Sequence, residues 1–383
     1  EILSGLVGSE MCIRDSPAVL TLPPYGKQDF IVSVRVSERA APGGFERQTI
    51  LARDESGREA CIRLITCRAL PHPCVLVDSR ELCKIRGKIQ ACDWPKKTLA
   101  AWRSYADGWL VPEVDPEKPY LFLSEHSERS KVAAFLYALT GEKIYAEKVV
   151  RLLRETADPQ KGYLRLPKFT HQELVHEGEC FRNLAVSYDL VYGSGLLSQD
   201  DHKNIERVFR LFMDLIDREL RKGEISNWTL AETAGALFCA CALQDRTLME
   251  RFLFGVGGAA EHLSRGVLDD GWWYEASIGY NLLAAGLFSE IAQATAHFGI
   301  NFADLKVPAS FAESVNSAAA LKDGLCNEVW GPNRKNYRCV KMLWDSLIPC
   351  FDYRGVIFGI NDSIESGFEG ITRRYEPLSL IHI

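Results

Sequence analysis

No stretch of this 383-residue chain is long or apolar enough to span a bilayer, which excludes a membrane-spanning helix. Nor does it gather Lys and Arg into clusters. With 45 basic against 51 acidic residues and a net charge of -6, nucleic acid is not expected as the main partner. An anionic polysaccharide stays compatible with that balance, because a local basic cleft need not show in the total. None of the 12 cysteines forms a C-x-x-C pair, and the closest two, Cys239 and Cys241, sit in an apolar helical run. Cysteines so placed pack as small hydrophobes more often than they bind metal or pair. That favours reduced, intracellular thiols and leaves a secreted or periplasmic setting open. No fixed repeat is evident, which disfavours a regular solenoid. No cofactor and no metal are expected: His171 and His176 sit ~140° apart around a helix of about 3.6 residues per turn and make no H-E-x-x-H pair.

What is present is an ordinary globular composition, 47% hydrophobic and 25% charged, in a chain too long for one compact core. The ends read differently. Met11-Cys12-Ile13-Arg14-Asp15-Ser16 resembles the translation of a sequencing-library transposon adapter, and the run from Leu378 to Ile383 that of its reverse complement. Residues 1–16 and 378–383 are therefore expected to be adapter-derived, flanking part of a longer protein. Residues 366–383 would combine that end with the start of a further C-terminal β-sandwich.

Between the ends the period changes once, near Pro71. From Pro17 to Ala69, runs such as Phe30 to Val36 alternate apolar and charged residues, broken by Pro42-Gly43-Gly44 and Asp54-Glu55-Ser56-Gly57. This predicts a small, immunoglobulin-like β-sandwich over 17–70. Beyond it the period is helical. Helices are predicted over Asp78–Ile89, Lys96–Trp109, Glu128–Thr140, Ile144–Thr156, Gln172–Tyr192 and Gln199–Arg221, then over Thr229–Gln244, Leu248–Ser264, Ser277–Phe298 and Pro308–Lys322. Helices of similar length with short connectors predict antiparallel hairpins, and an incomplete α/α toroid over 71–365 fits them best.

The densest chemistry lies in Asp269-Asp270-Gly271-Trp272-Trp273-Tyr274-Glu275-Ala276-Ser277-Ile278-Gly279-Tyr280-Asn281. An aromatic turn running into a helix can present a carboxylate and a phenol at the mouth of a sugar site. Tyr280 also shares a helical stripe with Leu283, Leu287 and Ile291, which a core residue would do. Trp272 and Trp273 would stack on sugar faces or fill a buried corner. Asn227, beside Ser226 and Thr229, reads equally as a helix cap, with Thr229-x-x-Glu232 as the capping box, and an anion binds readily at such a helix start. After Trp330-Gly331-Pro332, the stretch Asn333 to Arg338 is cationic; a solvated loop is the default, and Arg334 and Tyr337 are candidates for subsite contact.

Several segments together resemble the heparinase II/III-like polysaccharide lyases. His72-Pro73-Cys74-Val75-Leu76-Val77-Asp78, Glu81-Leu82 and Trp94-Pro95-Lys96 look like the opening of that family's catalytic domain. Asn183 to Tyr192, followed by Leu197-Ser198, is similar to its middle helices; Ser226-Asn227-Trp228 and Glu275 to Tyr280 match its two catalytic stretches. Gly359-Ile360-Asn361-Asp362-Ser363 looks like the end of its toroid. The likeness runs from about Pro71 to Ser363, and order and spacing carry it further than any single motif.

What the resemblance implies is β-elimination on a uronate-bearing glycan: heparin or heparan sulfate, another glycosaminoglycan, or alginate. Removing the C5 proton of a uronate is hard, because the adjacent carboxylate resists further charge. An amide aimed at that carboxylate offsets the charge, the role of Asn227. A base takes the C5 proton and an acid protonates the leaving O4. Tyrosine serves both roles when its pKa of ~10 is lowered by nearby donors and cations, and Tyr280 is the candidate. Where many members carry histidine, this chain has Trp228 and Asn281, so His176 is a candidate second neutraliser. Glu275, Trp228, Trp272, Trp273, Glu232, Arg334 and Tyr337 complete the expected substrate-binding set. Two rivals stand beside the lyase. One is a glycoside hydrolase on an α/α barrel, with Glu275 and Asp269 or Asp270 as its carboxylates. The other is a non-catalytic glycan-binding remnant.

Overall fold

In a computed structural model, residues 11–14, 21, 26–27, 33–37, 39–114, 119–165, 171–309, 337–361, 363 and 366–367 are described. Contacts divide the chain into two compact units, Glu1–Pro71 and His72–Ile383. In the first, β1 (Met11–Arg14) pairs antiparallel with β2 (Ser33–Val36), and β3 (Phe45–Arg53) with β4 (Glu59–Cys67). Asp54 builds the β3–β4 turn by accepting from the Ser56 and Arg58 amides, while Gly57 takes a φ of 81°. The Ser56 hydroxyl, donating to the same carboxylate, leads the effects that hold it low, at about 2.

The second unit is mainly helical. Its helices are α1 (Ser79–Ala91), α2 (Asp93–Asp107), α3 (Pro119–Thr140), α4 (Lys143–Ala157), α5 (His171–Val191), α6 (Gln199–Leu220), α7 (Asn227–Ala242), α8 (Arg246–Phe254), α9 (Ala259–Gly266), α10 (Ile278–Ala296) and α11 (Val340–Leu347). Short ladders join β5 (Val307–Pro308) to β6 (Tyr337–Arg338) and β7 (Val356–Ile357) to β8 (Ser366–Gly367). Asp78 with Glu81 caps α1, and Ser198 with Asp201 caps α6. At α7 the cap is Ser226 and the box is closed by Thr229, not by Glu232, so the helix begins two residues before its expected start. The helix expected over Leu248–Ser264 is two, α8 and α9, because Gly257 takes a φ of 67° and lies so close to Leu220 that a Cβ would sit 2.8 Å from its carbonyl oxygen. Of the helix expected over Pro308–Lys322, Pro308 is in β5, Ala309 follows it, and the rest lies outside the described residues.

Burial sorts the helices into two layers. The helix α6 buries one stripe, Ile205, Val208, Phe209, Phe212, Met213, Ile216 and Leu220, and is charged elsewhere. By contrast, α7 is buried nearly all round and packs against α5, α6, α8, α9 and α10. Thus α3, α5, α7 and α10 form an inner row, with α4, α6 and α8 behind it. The row is tight at α5–α7, where a Cβ on Gly235 would sit 2.4 Å from the Gly178 carbonyl oxygen.

The inner helices run parallel. Ser127 and Ser130 of α3 meet Asn183 and Ser187 of α5 in the same order, at 3.3 and 3.0 Å. Gly178 of α5 lies against Ala231 and Gly235 of α7, and farther along Cys239 Sγ approaches the Phe181 carbonyl at 3.9 Å. The segment His72–Val77 ties their far ends together. Asp189, late in α5, accepts from the Cys74 and Val75 amides at 3.0 and 2.9 Å. Gln244, just past α7, pairs with His72 Nε2 at 3.2 Å. Late in α10, Gln293 donates to the Leu76 carbonyl at 3.0 Å, and His297, which follows it, pairs with the Val75 carbonyl. With their C-terminal ends gathered on one segment, the N-terminal ends of α5, α7 and α10 must share the opposite end.

Candidate functional site

That opposite end is where three of the residues singled out by sequence lie. Counting back from Asp189, Gln244 and Gln293 by roughly 13 to 17 residues, at about 1.5 Å per residue, puts His176, Asn227 and Tyr280 some ~20–25 Å from the His72–Val77 segment. Asn227 opens α7, and Tyr280 is in the first turn of α10. These two helices are in contact, and packed helices lie about 8–10 Å apart axis to axis. Asn227 is buried and Tyr280 half-buried. His176 is exposed on α5. Three parallel helix N-termini at one end favour an anion there.

The two halves are joined by α9. His262, fully buried in it, pairs through Nε2 with Thr229 Oγ1 at 2.7 Å, beside Asn227. One turn on, the Gly266 carbonyl accepts from the Tyr274 amide at 2.9 Å, and Val267 bridges to Trp273. Gly266 is compulsory, since a Cβ would meet the Trp273 ring at 2.4 Å. The turn then closes on α10: Asn281 Oδ1 accepts from the Trp273 amide at 2.7 Å, and Asn281 Nδ2 donates to the Leu343 carbonyl of α11 at 3.1 Å. So Asn281, which stands where the family resemblance would put a histidine, is a fully buried anchor. The Gly359–Ser363 motif reaches the same helix start. Ser363 Oγ accepts from the Gly279 amide at 2.6 Å and meets Ser277 Oγ at 2.8 Å.

Other expected contacts fall elsewhere. Trp273 is fully buried and leaves no ring face for a sugar; its indole donates to Glu275 at 2.7 Å. Trp272 is half-buried on the cluster of Ile278, Leu282, Leu347 and Ile357, while Trp228 is 36% exposed beside Asn227. Glu232 is wholly buried one turn into α7. Tyr337, in β6, carries the Lys306 ammonium over its ring at 4.8 Å. Arg334 lies outside the described residues. The carboxylates of the hydrolase rival are engaged: Asp269 is ion-paired with buried Arg338, and Asp270 accepts from the Trp272 amide at 3.1 Å.

Among the described residues, two clusters bring possible metal ligands within 4.8 Å, His72/Cys74/Asp189 and Asp78/Glu81/His297. In the first, both Asp189 oxygens already accept backbone amides, and burial pushes the Cys74 thiol far up. In the second, Asp78 and Glu81 form the α1 capping box. Both read as structural. A recess of about 230 Å³ between α4 and α6 belongs to the outer layer, where Arg154 pairs with Asp201 at 2.8 Å.

Sequence reasoning missed His262. Burial pushes its imidazole down to about 4, against roughly 6.5 in an unfolded chain. The folded protein therefore favours the neutral ring, and its stabilising effect is complete above about 6.5 and lost as pH falls toward 4. Urea unfolding should give wild type about 2–3 kcal/mol less advantage over His262→Leu at pH 4.5 than at pH 7. An advantage independent of pH would mean that the ring takes up a proton equally readily folded and unfolded.

No family model matches the chain, and no curated protein sequence matches it. Solved structures do. An alginate lyase from Bacteroides ovatus matches with a TM-score of 0.54 and 13% identity, over 74% of this chain and 84% of that one. Alginate lyase A1-III from Sphingomonas species A1 matches at a TM-score of 0.43 and 15% identity, over 69% and 85%. The first likeness is one of fold, and it is the one on which argument can stand.

Proposed function

We propose that the protein is a polysaccharide lyase that cleaves a uronate-bearing glycan by β-elimination, with Asn227 countering the uronate carboxylate and Tyr280 serving as base and acid. What supports this is the placement of Asn227 and Tyr280 on the first turns of two helices in contact, joined through α9, at the end where three helix dipoles favour an anion. The fold shared with an alginate lyase supports the same class. We read the two helical layers as an arc of an α/α toroid, and the strands of the first unit as an immunoglobulin-like module. The heparinase II/III-like motifs belong to this reading.

Alginate is the first substrate to try. Near the site the described side chains include Glu224 and Glu275, while Arg338 is committed to Asp269. Such surroundings suit one carboxylate per sugar better than dense sulfation. The test is a panel of alginate, heparan sulfate and a second glycosaminoglycan. Elimination leaves an unsaturated uronate that absorbs ultraviolet light, and alginate should give that absorbance. New reducing ends without absorbance would replace the lyase with a hydrolase.

A further inference from the structure

Elimination needs the amide and the phenol to hold the same sugar at once, so what fixes one against the other is part of the machinery. No hydrogen bond between Asn227 and Tyr280 is needed if a rigid element spans their turns, and α9 is such an element. At its start, the His262 Nδ1 faces the Gly258 carbonyl at 3.1 Å. A carbonyl only accepts, so Nδ1 carries the proton and Nε2 is the acceptor. The Thr229 hydroxyl must then donate to Nε2, at 2.7 Å, which turns its oxygen lone pairs toward the Ser226 amide, its donor at 3.0 Å. Asn227 sits between these two residues. Its backbone is thus held on both sides by one hydroxyl whose orientation the imidazole dictates.

Four residues after His262, and so on the same face of α9, Gly266 packs under the Trp273 ring and accepts the Tyr274 amide. Trp273 is in turn held by Asn281, the neighbour of Tyr280. The path from amide to phenol runs Asn227, Thr229, His262, Gly266, Trp273, Asn281, Tyr280; the links Asn227–Thr229, His262–Gly266 and Asn281–Tyr280 run along the chain, and the other three are buried contacts.

Resting on the lyase reading above, we propose that His262 is a positioning residue that sets Asn227 against Tyr280 through α9. It touches no substrate. It acts by choosing the rotamer of Thr229. A displacement of the amide by about 1 Å is enough to cost roughly 100-fold in rate, because the charge it offsets is fully developed only in the transition state.

The experiment measures kcat and KM on alginate, per folded molecule, for wild type, His262→Leu, His262→Gln, Thr229→Val and the His262→Leu/Thr229→Val double variant. Loss of the link should lower kcat by about 10- to 100-fold with KM changed less than about threefold. His262→Gln, which can still donate to Gly258 and accept from Thr229, should recover most of that loss. The double variant should be no slower than the worse single one, because both cut the same link. Wild-type kcat in folded His262→Leu, or additive losses in the double variant, would overturn the proposal. Amide exchange across Ser226 to Leu230 supplies a readout independent of turnover, and it should quicken by about tenfold in His262→Leu. If wild type yields no unsaturated product, the lyase reading fails; the strut is then judged by exchange alone, and wild-type protection in His262→Leu overturns it.

Discussion

Tyr280→Phe should lower kcat on the uronan substrate by about 1,000-fold while leaving KM within about threefold of wild type. The substitution removes one hydroxyl and keeps the ring. Tyr280 is half-buried in the first turn of α10, and the start of that helix is held by Ser363 and Asn281, which the change does not touch. Folding should therefore be unaffected, and the loss is chemical. If the phenol takes the C5 proton and returns a proton to O4, its removal disables both halves of the step, which places the effect within the 100- to 10,000-fold range of general acid–base catalysis. The measurement is initial rate of ultraviolet absorbance, with circular dichroism to show that the fold is retained. A variant within tenfold of wild type would move the base elsewhere and leave Tyr280 as a packing residue of the helical stripe.

How much of this was legible in the sequence depends on the range of the contact that fixes each residue. Local grammar was readable: the Asp78 start signal, the alternating strand at Ser33–Val36, and the periodic apolar stripe that makes α6 amphipathic. Where two local grammars overlapped, sequence chose badly. Thr229-x-x-Glu232 and Ser226-x-x-Thr229 both look like boxes, and only tertiary packing, with His262 claiming the Thr229 hydroxyl, decides for the second. The break between α8 and α9 was announced by Gly255-Val256-Gly257-Gly258, but a long helical period on both sides outweighed it.

The site was legible in part because two of its motifs are short and contiguous. Asn227 and Tyr280 are each surrounded by residues that signal a helix start, and both do open helices. What sequence could not give was that their helices pack side by side, with Gln244 past α7 and Gln293 in α10 both gripping His72–Val77. His262 was invisible because a lone histidine in a short amphipathic helix has no signature, and its partner is 33 residues away. Trp273 misled for the opposite reason: an aromatic run beside a carboxylate looks like a sugar platform, whereas one ring of it is the plug on which α9 and α10 close.

Asp189→Ala is expected to have the largest effect on stability, with a loss of about 3–5 kcal/mol and a Tm lower by roughly 10 °C. The side chain is 1% exposed and serves four approaches at once: the Cys74 amide reaches both oxygens at 3.0 Å, the Val75 amide one at 2.9 Å, and His72 Nδ1 the other at 2.6 Å. Alanine would strand two backbone donors and an imidazole away from water, and each stranded donor costs about 1–3 kcal/mol. Stacking of His72 on Tyr192 at 3.8 Å would lose its orienting partner as well. The chemical consequence should be small by comparison. Since Asp189 grips the C-terminal ends of the inner helices, ~20 Å from the first turns that carry Asn227 and Tyr280, turnover per folded molecule should stay within about threefold. Cys74→Ala is the control, because its thiol only approaches Asp189 at 3.6 Å while the amide does the holding, so it should cost less than about 2 kcal/mol. Thermal unfolding and rate measured on the same samples separate the two ends of the helical row. Equal stability losses in the two variants would mean that the carboxylate is not what binds the row together. A rate loss of 100-fold or more in folded Asp189→Ala would mean that the ends are not mechanically independent.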